Sequence, residues 1–306
     1  MIVHYHPRYD ISAWPFSLLH PFDGKKFRRV WTHVRSLDGV QIAQVAQPVR
    51  DDVIFGFVSK LYGMLLTSKR VVLQALELPY VPLLPFSVID NRVLQPMRWC
   101  VGGTLQAAAR AAEQGINTWN LGGGYHHASR QAGEGFCLYN DVGMACDWLR
   151  STGRLADDDR VLVVDVDAHH GNGNAHVFMD DPRVTLLDIY NGDIYPHGGF
   201  TKERVDINLP LASGTQGSEY LARLQEGLDR LQGSYKLAFV VAGTDVLASD
   251  PLGHLALSVD DCVRRDGMVL ASLRKLGIPA VVLGGGGYGP ESAQAISASL
   301  EQHYRL

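Results

Sequence analysis

Three apolar runs, VLVV (161–164), LAFVVA (237–242) and PAVVL (279–283), restrict the fold of this chain more than any other feature. A strand with one wet face alternates polar and apolar residues, and these runs do not. Both of their faces must be covered, which is the condition of a strand inside a parallel sheet. Other short β-branched runs stand at IVHY (2–5), VQIAQV (40–45), NTWNLG (117–122) and RVTLLDIY (183–190). With VLVVDV (161–166), LAFVVA and PAVVLGG (279–285) they make the candidate strands. Amphipathic stretches at 55–76, 101–114, 139–152, 217–232, 260–275 and 290–303 are read as helices between them. Strand, helix, strand in repetition implies an α/β fold, three layers deep, with right-handed crossovers.

A chain of 306 residues holds one large α/β domain or two small ones. No repeat or low-complexity segment divides it. LPYVPLLPF (78–86) is too short and too apolar for a linker and reads as a packed surface loop, so a single domain over 1–306 is expected. A net charge of −4 argues against a nucleic-acid surface, which would be basic. Cys100, Cys137, Cys146 and Cys262 are widely spaced with no C-x-x-C, which excludes a thiolate zinc knuckle and suits a reducing compartment. The opening MIVHYHPRYD lacks the basic and apolar regions of a secretory signal. Lys60 and then Lys69 interrupt the most apolar stretch, so no membrane span is expected. A soluble, cytoplasmic protein follows from these readings.

In parallel α/β sheets the chemistry sits at the carboxyl ends of the strands. Four candidate strands end in polar or glycine-rich clusters: GGGYHHA (122–128), DVDAHHGNG (165–173), AGTDVLASDPLG (242–253) and GGGGYG (284–289). Asp167 and His169 lie two apart, so on an extended strand end both side chains point one way. Asp245, at another strand end, is the candidate third ligand. Two carboxylates and one imidazole form an open site for a borderline metal, with zinc the default and iron(II) or cobalt(II) also suited. His126 and His127 supply a proton shuttle. Tyr288, beyond four glycines, supplies an O–H donor for a developing oxyanion. Each motif alone has a bland reading: a packed histidine pair, a helix cap, a turn. Four together at one rim of a sheet make a site.

Taken in order and spacing, these four motifs resemble the histone deacetylase family of zinc amidohydrolases. HPFDGKKFRRV (20–30), NLGGGYHHAS (120–129), the Asn172 of HHGNG and DIYNGDIYP (188–196) are similar to its class IV branch. The resemblance implies an arginase-deacetylase fold with a central, mainly parallel sheet of about eight strands. It also implies zinc on Asp167, His169 and Asp245, catalysis by His126, His127 and Tyr288, and removal of an acyl group from an acylated lysine. Asp165 matches a carboxylate that pairs with the first histidine and lines a site for a monovalent cation such as potassium. Phe136 and Tyr195 match aromatic walls of the acyl-lysine tunnel, and Gly124 matches a backbone contact to substrate. Asn172 stands where most classes carry an aspartate beside the second histidine.

The substrate remains open between acyl-lysine in protein or peptide, with acetyl or longer chains, and a small acylated amine. An acetylpolyamine amidohydrolase is the nearest alternative. A two-metal ureohydrolase is disfavoured because Gly171 stands where its extra carboxylate is needed. A catalytically silent acyl-lysine binder is disfavoured because every motif residue is present. The rim residues that grip substrate and the oligomeric state are not legible. His170 and His176 are read as structural.

Overall fold

The computed structural model describes residues 1–11 and 22–305. Its strands are β1 (Ile2–Tyr5), β2 (Gln41–Gln44), β3 (Thr118–Asn120), β4 (Val161–Asp165), β5 (Val184–Asn191), β6 (Ile207–Leu211), β7 (Leu237–Val241) and β8 (Ala280–Leu283). All are parallel in one eight-stranded sheet of order β2-β1-β3-β8-β7-β4-β5-β6. The helices are α1 (Lys26–Val34), α2 (Asp51–Phe57), α3 (Lys60–Leu65), α4 (Lys69–Ala75), α5 (Phe86–Ile89) and α6 (Gln95–Gln114). They continue with α7 (Asp141–Ser151), α8 (Asn172–Val177), α9 (Phe200–Glu203), α10 (Gly217–Asp229), α11 (Val259–Lys275) and α12 (Ser292–His303).

The apolar runs are explained by what lies on each side of them. Leu162 and Val164 of β4, with Ala238 and Val240 of β7, join a core with α1, α10, α11 and α12. Val161, Val163, Leu237 and Phe239 join a second core with helices α2 to α4, α6 and α7 on the opposite face. Every residue of β4, β7 and β8 is buried. The three-layer α/β/α architecture expected from the sequence is the one observed.

Several elements differ from expectation, each for a local reason. The stretch 55–76 is not one helix. Val58 and Ser59 are extended and Ser59 caps α3 by accepting the Tyr62 N–H, while extended Ser68 starts α4. Helix α6 starts earlier than residue 101 and carries Pro96 in its first turn. It is preceded by α5 and a π-helical turn over Asp90–Leu94. Helix α1, absent from the sequence reading, buries Phe27, Val30 and Val34. Strand β6 was also unread, since INLPL carries Asn208 and Pro210. It is one of the sheet's two edge strands, where proline is tolerated because not every N–H needs a partner. The loop at 78–86 is tied down by Lys69, whose Nζ donates to the carbonyls of Val81, Pro82 and Leu84, but it is not packed as expected: Leu83 is 94% exposed. No described helix is long and apolar enough to cross a membrane.

Helix α11 begins with reciprocal capping. Ser258 Oγ accepts the Asp261 N–H at 3.1 Å and Asp261 Oδ2 accepts the Ser258 N–H at 3.0 Å. Loss of the hydroxyl in Ser258→Ala should reduce stability by about 1 kcal/mol, read as a lowered urea midpoint. An unchanged midpoint would contradict the cap's contribution.

Candidate functional site

The strand ends deliver their side chains to one place. Asp167 and His169 follow β4, Asp245 follows β7, and one donor atom from each lies within 4.8 Å of the others. His169 Nδ1 is 2.8 Å from Asp245 Oδ2 and 3.3 Å from Asp167 Oδ1. Backbone N–H groups hold the carboxylates: Ala168 donates to Asp245 Oδ1 (2.9 Å) and Gly286 to Asp167 Oδ2 (2.7 Å). Gly286 has to be glycine, since a Cβ there would sit 2.5 Å from Asp245 Oδ2 and 2.8 Å from Asp167 Oδ2.

Electrostatically the cluster is short of positive charge. Burial opposes protonation of His169, but its hydrogen bonds to Asp167 and Asp245 prevail and push it up to about 10. Burial, then the Asp167 charge, pushes Asp245 up to about 7. Burial would raise Asp167 too, but the neighbouring His126 and His169 hold it low. Two buried carboxylates converging on one imidazole compete for a cation. A divalent metal fits this O,O,N set, with His169 neutral as ligand.

The two histidines beside the cluster have opposite partners. His126 Nδ1 lies 2.8 Å from Asp165 Oδ2, and His127 Nδ1 lies 2.7 Å from Asn172 Oδ1. Burial disfavours the cation in both. For His126 the charges of Asp165 and Asp167 and the Asp165 hydrogen bond outweigh it, raising the group to about 9. For His127 burial is reinforced by the charges of His126 and His169, and the group falls well below its ordinary value. An amide oxygen can only accept, so His127 carries its proton on Nδ1 and keeps the Nε2 lone pair. The neighbouring Asp165, raised by burial against the pull of His126, lies at about 6.

An apolar cavity opens onto this pair. Phe136 and Tyr288 line it with ring centroids 5.6 Å apart, together with Phe22, Leu76, Leu78 and Met97. Gly124 also lines it, and its carbonyl already accepts the His126 N–H (2.9 Å), leaving one lone pair. Phe136 adopts φ +66°, anchored by its N–H to the Ala75 carbonyl (3.0 Å). Tyr195 stands beside this cavity, on the groove next to it. It packs edge-on against His127 at 5.2 Å, its hydroxyl donates to Glu134 (2.8 Å), and it faces an adjoining groove that contains Glu77. His170 is structural as expected, bonded to Asp188 (2.6 Å) and Thr201 (3.0 Å), while His176 packs on Phe200.

Comparison with known proteins identifies the group to which this site belongs. Residues 62–304 match the model of the histone deacetylase domain. The chain is 36% identical over 303 residues to Histone deacetylase 2 of Arabidopsis thaliana, covering 97% of this chain and 77% of that protein. It belongs to the histone deacetylase family. Acetoin utilization protein AcuC of Bacillus subtilis is 31% identical over 202 residues, which are 61% of this chain and 51% of AcuC. Among solved structures, the HD domain of HDA15 aligns with a TM-score of 0.72 at 22% identity, over 98% of this chain and 88% of that one. A histone deacetylase homologue complexed with SAHA aligns at 0.74 and 21%, over 99% and 83%. These two show the arginase-deacetylase fold. Histone deacetylases are hydrolytic deacetylases that generally use a metal ion, and this chain has one candidate site for it among the described residues.

Three polar residues that support this histone deacetylase site escaped the sequence reading. Lys26, fully buried, donates from Nζ to the carbonyls of Gly285 (3.4 Å), Gly286 (3.0 Å) and Gly287 (3.3 Å). Burial lowers it to about 8, against the partial support of Asp245, Asp167 and Asp250. Asp250 Oδ2 accepts the N–H groups of Tyr288 (2.6 Å) and Gly289 (2.9 Å). Asp141 accepts those of Gly124 (2.9 Å) and Tyr125 (2.8 Å). The glycine loops are thus held by buried charges, and a lysine before an i, i+3, i+7 apolar pattern at Phe27, Val30 and Val34 was the available signal.

Two outcomes follow from this geometry. In Asn172→Asp the limb of the deacetylation pH–rate profile set by His127 should move up by about one pH unit or more, since a carboxylate stabilises the imidazolium. A superimposable profile would sink that assignment. In Lys26→Met the carbonyls of Gly285 and Gly287 lose the ammonium and Gly286 is left with Thr244, and the loosened Tyr288 loop should lower kcat by about tenfold to a hundredfold, checked on an acetyl-lysine peptide beside the melting temperature.

Proposed function

We propose that this chain is a zinc-dependent deacylase that hydrolyses the amide of an acylated lysine or related amine. The observation that carries this reading is the convergence of Asp167, His169 and Asp245 beside a histidine pair, at the wall of an apolar cavity. Iron(II) or cobalt(II) would suit the same donors. When bound, the ion supplies Lewis acidity, bringing a coordinated water towards neutral pKa and polarising the substrate carbonyl.

The remaining chemistry falls to the protein. The Nε2 lone pair of His127 takes the proton of the attacking water, and Asn172 holds the ring in that tautomer. His126, kept cationic by Asp165, stabilises negative charge developing beside it. The Tyr288 hydroxyl donates to the developing oxyanion, and the protonated histidine returns its proton to the departing amine. The free lone pair on the Gly124 carbonyl accepts the substrate amide N–H. Phe136 walls the acyl-lysine on the cavity side, and Tyr195 does so on the side of the groove. A monovalent cation beside Asp165 belongs to the same reading. Asp188, ladder-paired with Asp165, keeps a buried Oδ1 without a hydrogen-bond partner.

The apolar cavity lining favours an uncharged acyl group of acetyl length or longer. An acylated polyamine is the second reading, favoured by the carboxylates of Glu77 and Glu134 on the groove beside Tyr195. A ureohydrolase site is opposed by Gly171, where even a Cβ would meet Asp165 Oδ2 at 2.5 Å.

The test is a series of acyl-lysine peptides and acyl-polyamines of rising chain length, assayed with metal-reconstituted protein and after chelation. Acyl release that chelation abolishes and zinc restores is expected, and the best substrate in the series decides chain length and carrier. Stoichiometric zinc with no acyl release from any substrate would overturn the enzyme in favour of a binding protein.

A further inference from the structure

Backbone pairing between β4 and β7 ends just before the candidate ligands. The last ladder bond runs from the Val166 N–H to the Val241 carbonyl (3.0 Å). The next tie is from the Ala168 N–H to the Asp245 carboxylate (2.9 Å). Between them, the carbonyls of Val166 and Gly243 receive no backbone N–H among the described residues. Val166 immediately precedes Asp167, and Gly243 lies two residues before Asp245.

One side chain spans this gap. Arg265 of α11 is fully buried, and its Nη1 donates to both the Val166 carbonyl (3.1 Å) and the Gly243 carbonyl (2.5 Å). Tyr220 adds a second donor to Val166 (3.1 Å). The guanidinium is held in turn: Asp266 Oδ1 accepts Nε (2.9 Å) and lies 2.8 Å from Nη2, while Asp266 Oδ2 accepts the Ser299 hydroxyl of α12 (2.6 Å). The charge is therefore neutralised locally, and the fork is oriented by two helices. Ordinary core packing would not require an arginine there. A planar donor with two N–H groups on one nitrogen suits two carbonyls on neighbouring strand ends.

We propose that Arg265 is a positioning residue for the metal centre, oriented by Asp266 and Ser299, which sets the separation of the strand ends carrying Asp167 and Asp245. This rests on the metal reading above. Partners of ligands, or of the backbone bearing them, set how well the ligands can share an ion, and losing one commonly costs about tenfold to a hundredfold in affinity.

The experiment measures the zinc dissociation constant by chelator competition, with the melting temperature of the metal-free protein alongside. Arg265→Lys keeps the charge opposite Asp266 but replaces the fork with a point donor. Ser299→Ala leaves the arginine in place and frees Asp266. Arg265→Lys should weaken zinc binding by about tenfold or more, Ser299→Ala should weaken it by a smaller factor, and cobalt-substituted Arg265→Lys should show a shifted visible spectrum. Both variants folded, with wild-type zinc affinity and cobalt spectrum, would overturn the positioning role. Weakened zinc in Ser299→Ala supports it even if Arg265→Lys does not fold. Wild-type protein that bound no zinc would overturn the metal reading and, with it, this one.

Discussion

The hydrogen-bond ladder between β4 and β7 stops at Val166, and the site depends on what replaces it there. A parallel ladder holds strand ends at a fixed spacing only while it lasts. Beyond it the chain must leave the sheet to present side chains, and its peptide groups, buried under helices, still need partners. In this molecule several of those partners are side chains: Arg265 for the Val166 and Gly243 carbonyls, Asp245 for the Ala168 N–H, Asp167 for the Gly286 N–H. The same carboxylates that answer orphaned amides are the candidate ligands. Structural and chemical roles therefore converge on the same atoms.

A similar economy governs the loops above the sheet. Lys26 offers three donors to three glycine carbonyls, Asp250 accepts the N–H groups of Tyr288 and Gly289, and Asp141 accepts those of Gly124 and Tyr125 just before His126. Glycine permits the close approach, but it leaves the loop without side-chain contacts of its own, so buried charges anchor it. The histidine pair shows how one partner changes chemistry. His126 and His127 are equally buried neighbours, yet the carboxylates of Asp165 and Asp167 raise the first, while burial and the charges of His126 and His169 hold the second low against the hydrogen bond to Asn172. With Asn172 rather than a carboxylate beside His127, no anionic hydrogen-bond partner offsets that burial.

Legibility followed the physics of each element. Central strands such as VLVV were readable because burial on both faces removes the polar alternation of a half-wet strand. Strand β6 was not, because an edge position tolerates Pro210 and Asn208 that a central position would reject. The division of 55–76 into α2, α3 and α4 turned on the extended backbone at Val58, Ser59 and Ser68, of which only the Ser59 hydroxyl caps a helix. Asp167, His169 and Asp245 were readable from their residue types at strand ends. Arg265 was not: an arginine on an amphipathic helix normally faces water, and nothing local distinguishes one aimed at two distant carbonyls. Nothing local to Tyr195 announces that its hydroxyl reaches Glu134 while its ring packs on His127.

The sequence alone determined the layer architecture and the membership of the donor cluster. Both are written in short-range features: periodicity, strand ends, and the chemistry of carboxylate and imidazole. Tertiary structure decided which carbonyls Lys26 and Arg265 would satisfy, which histidine would be charged, and on which side of His127 each aromatic would lie. Those depend on contacts between residues as far apart as Lys26 and Gly287, or Val166 and Arg265. Burial makes such contacts obligatory, because a desolvated charge or carbonyl must find its partner wherever the fold brings one.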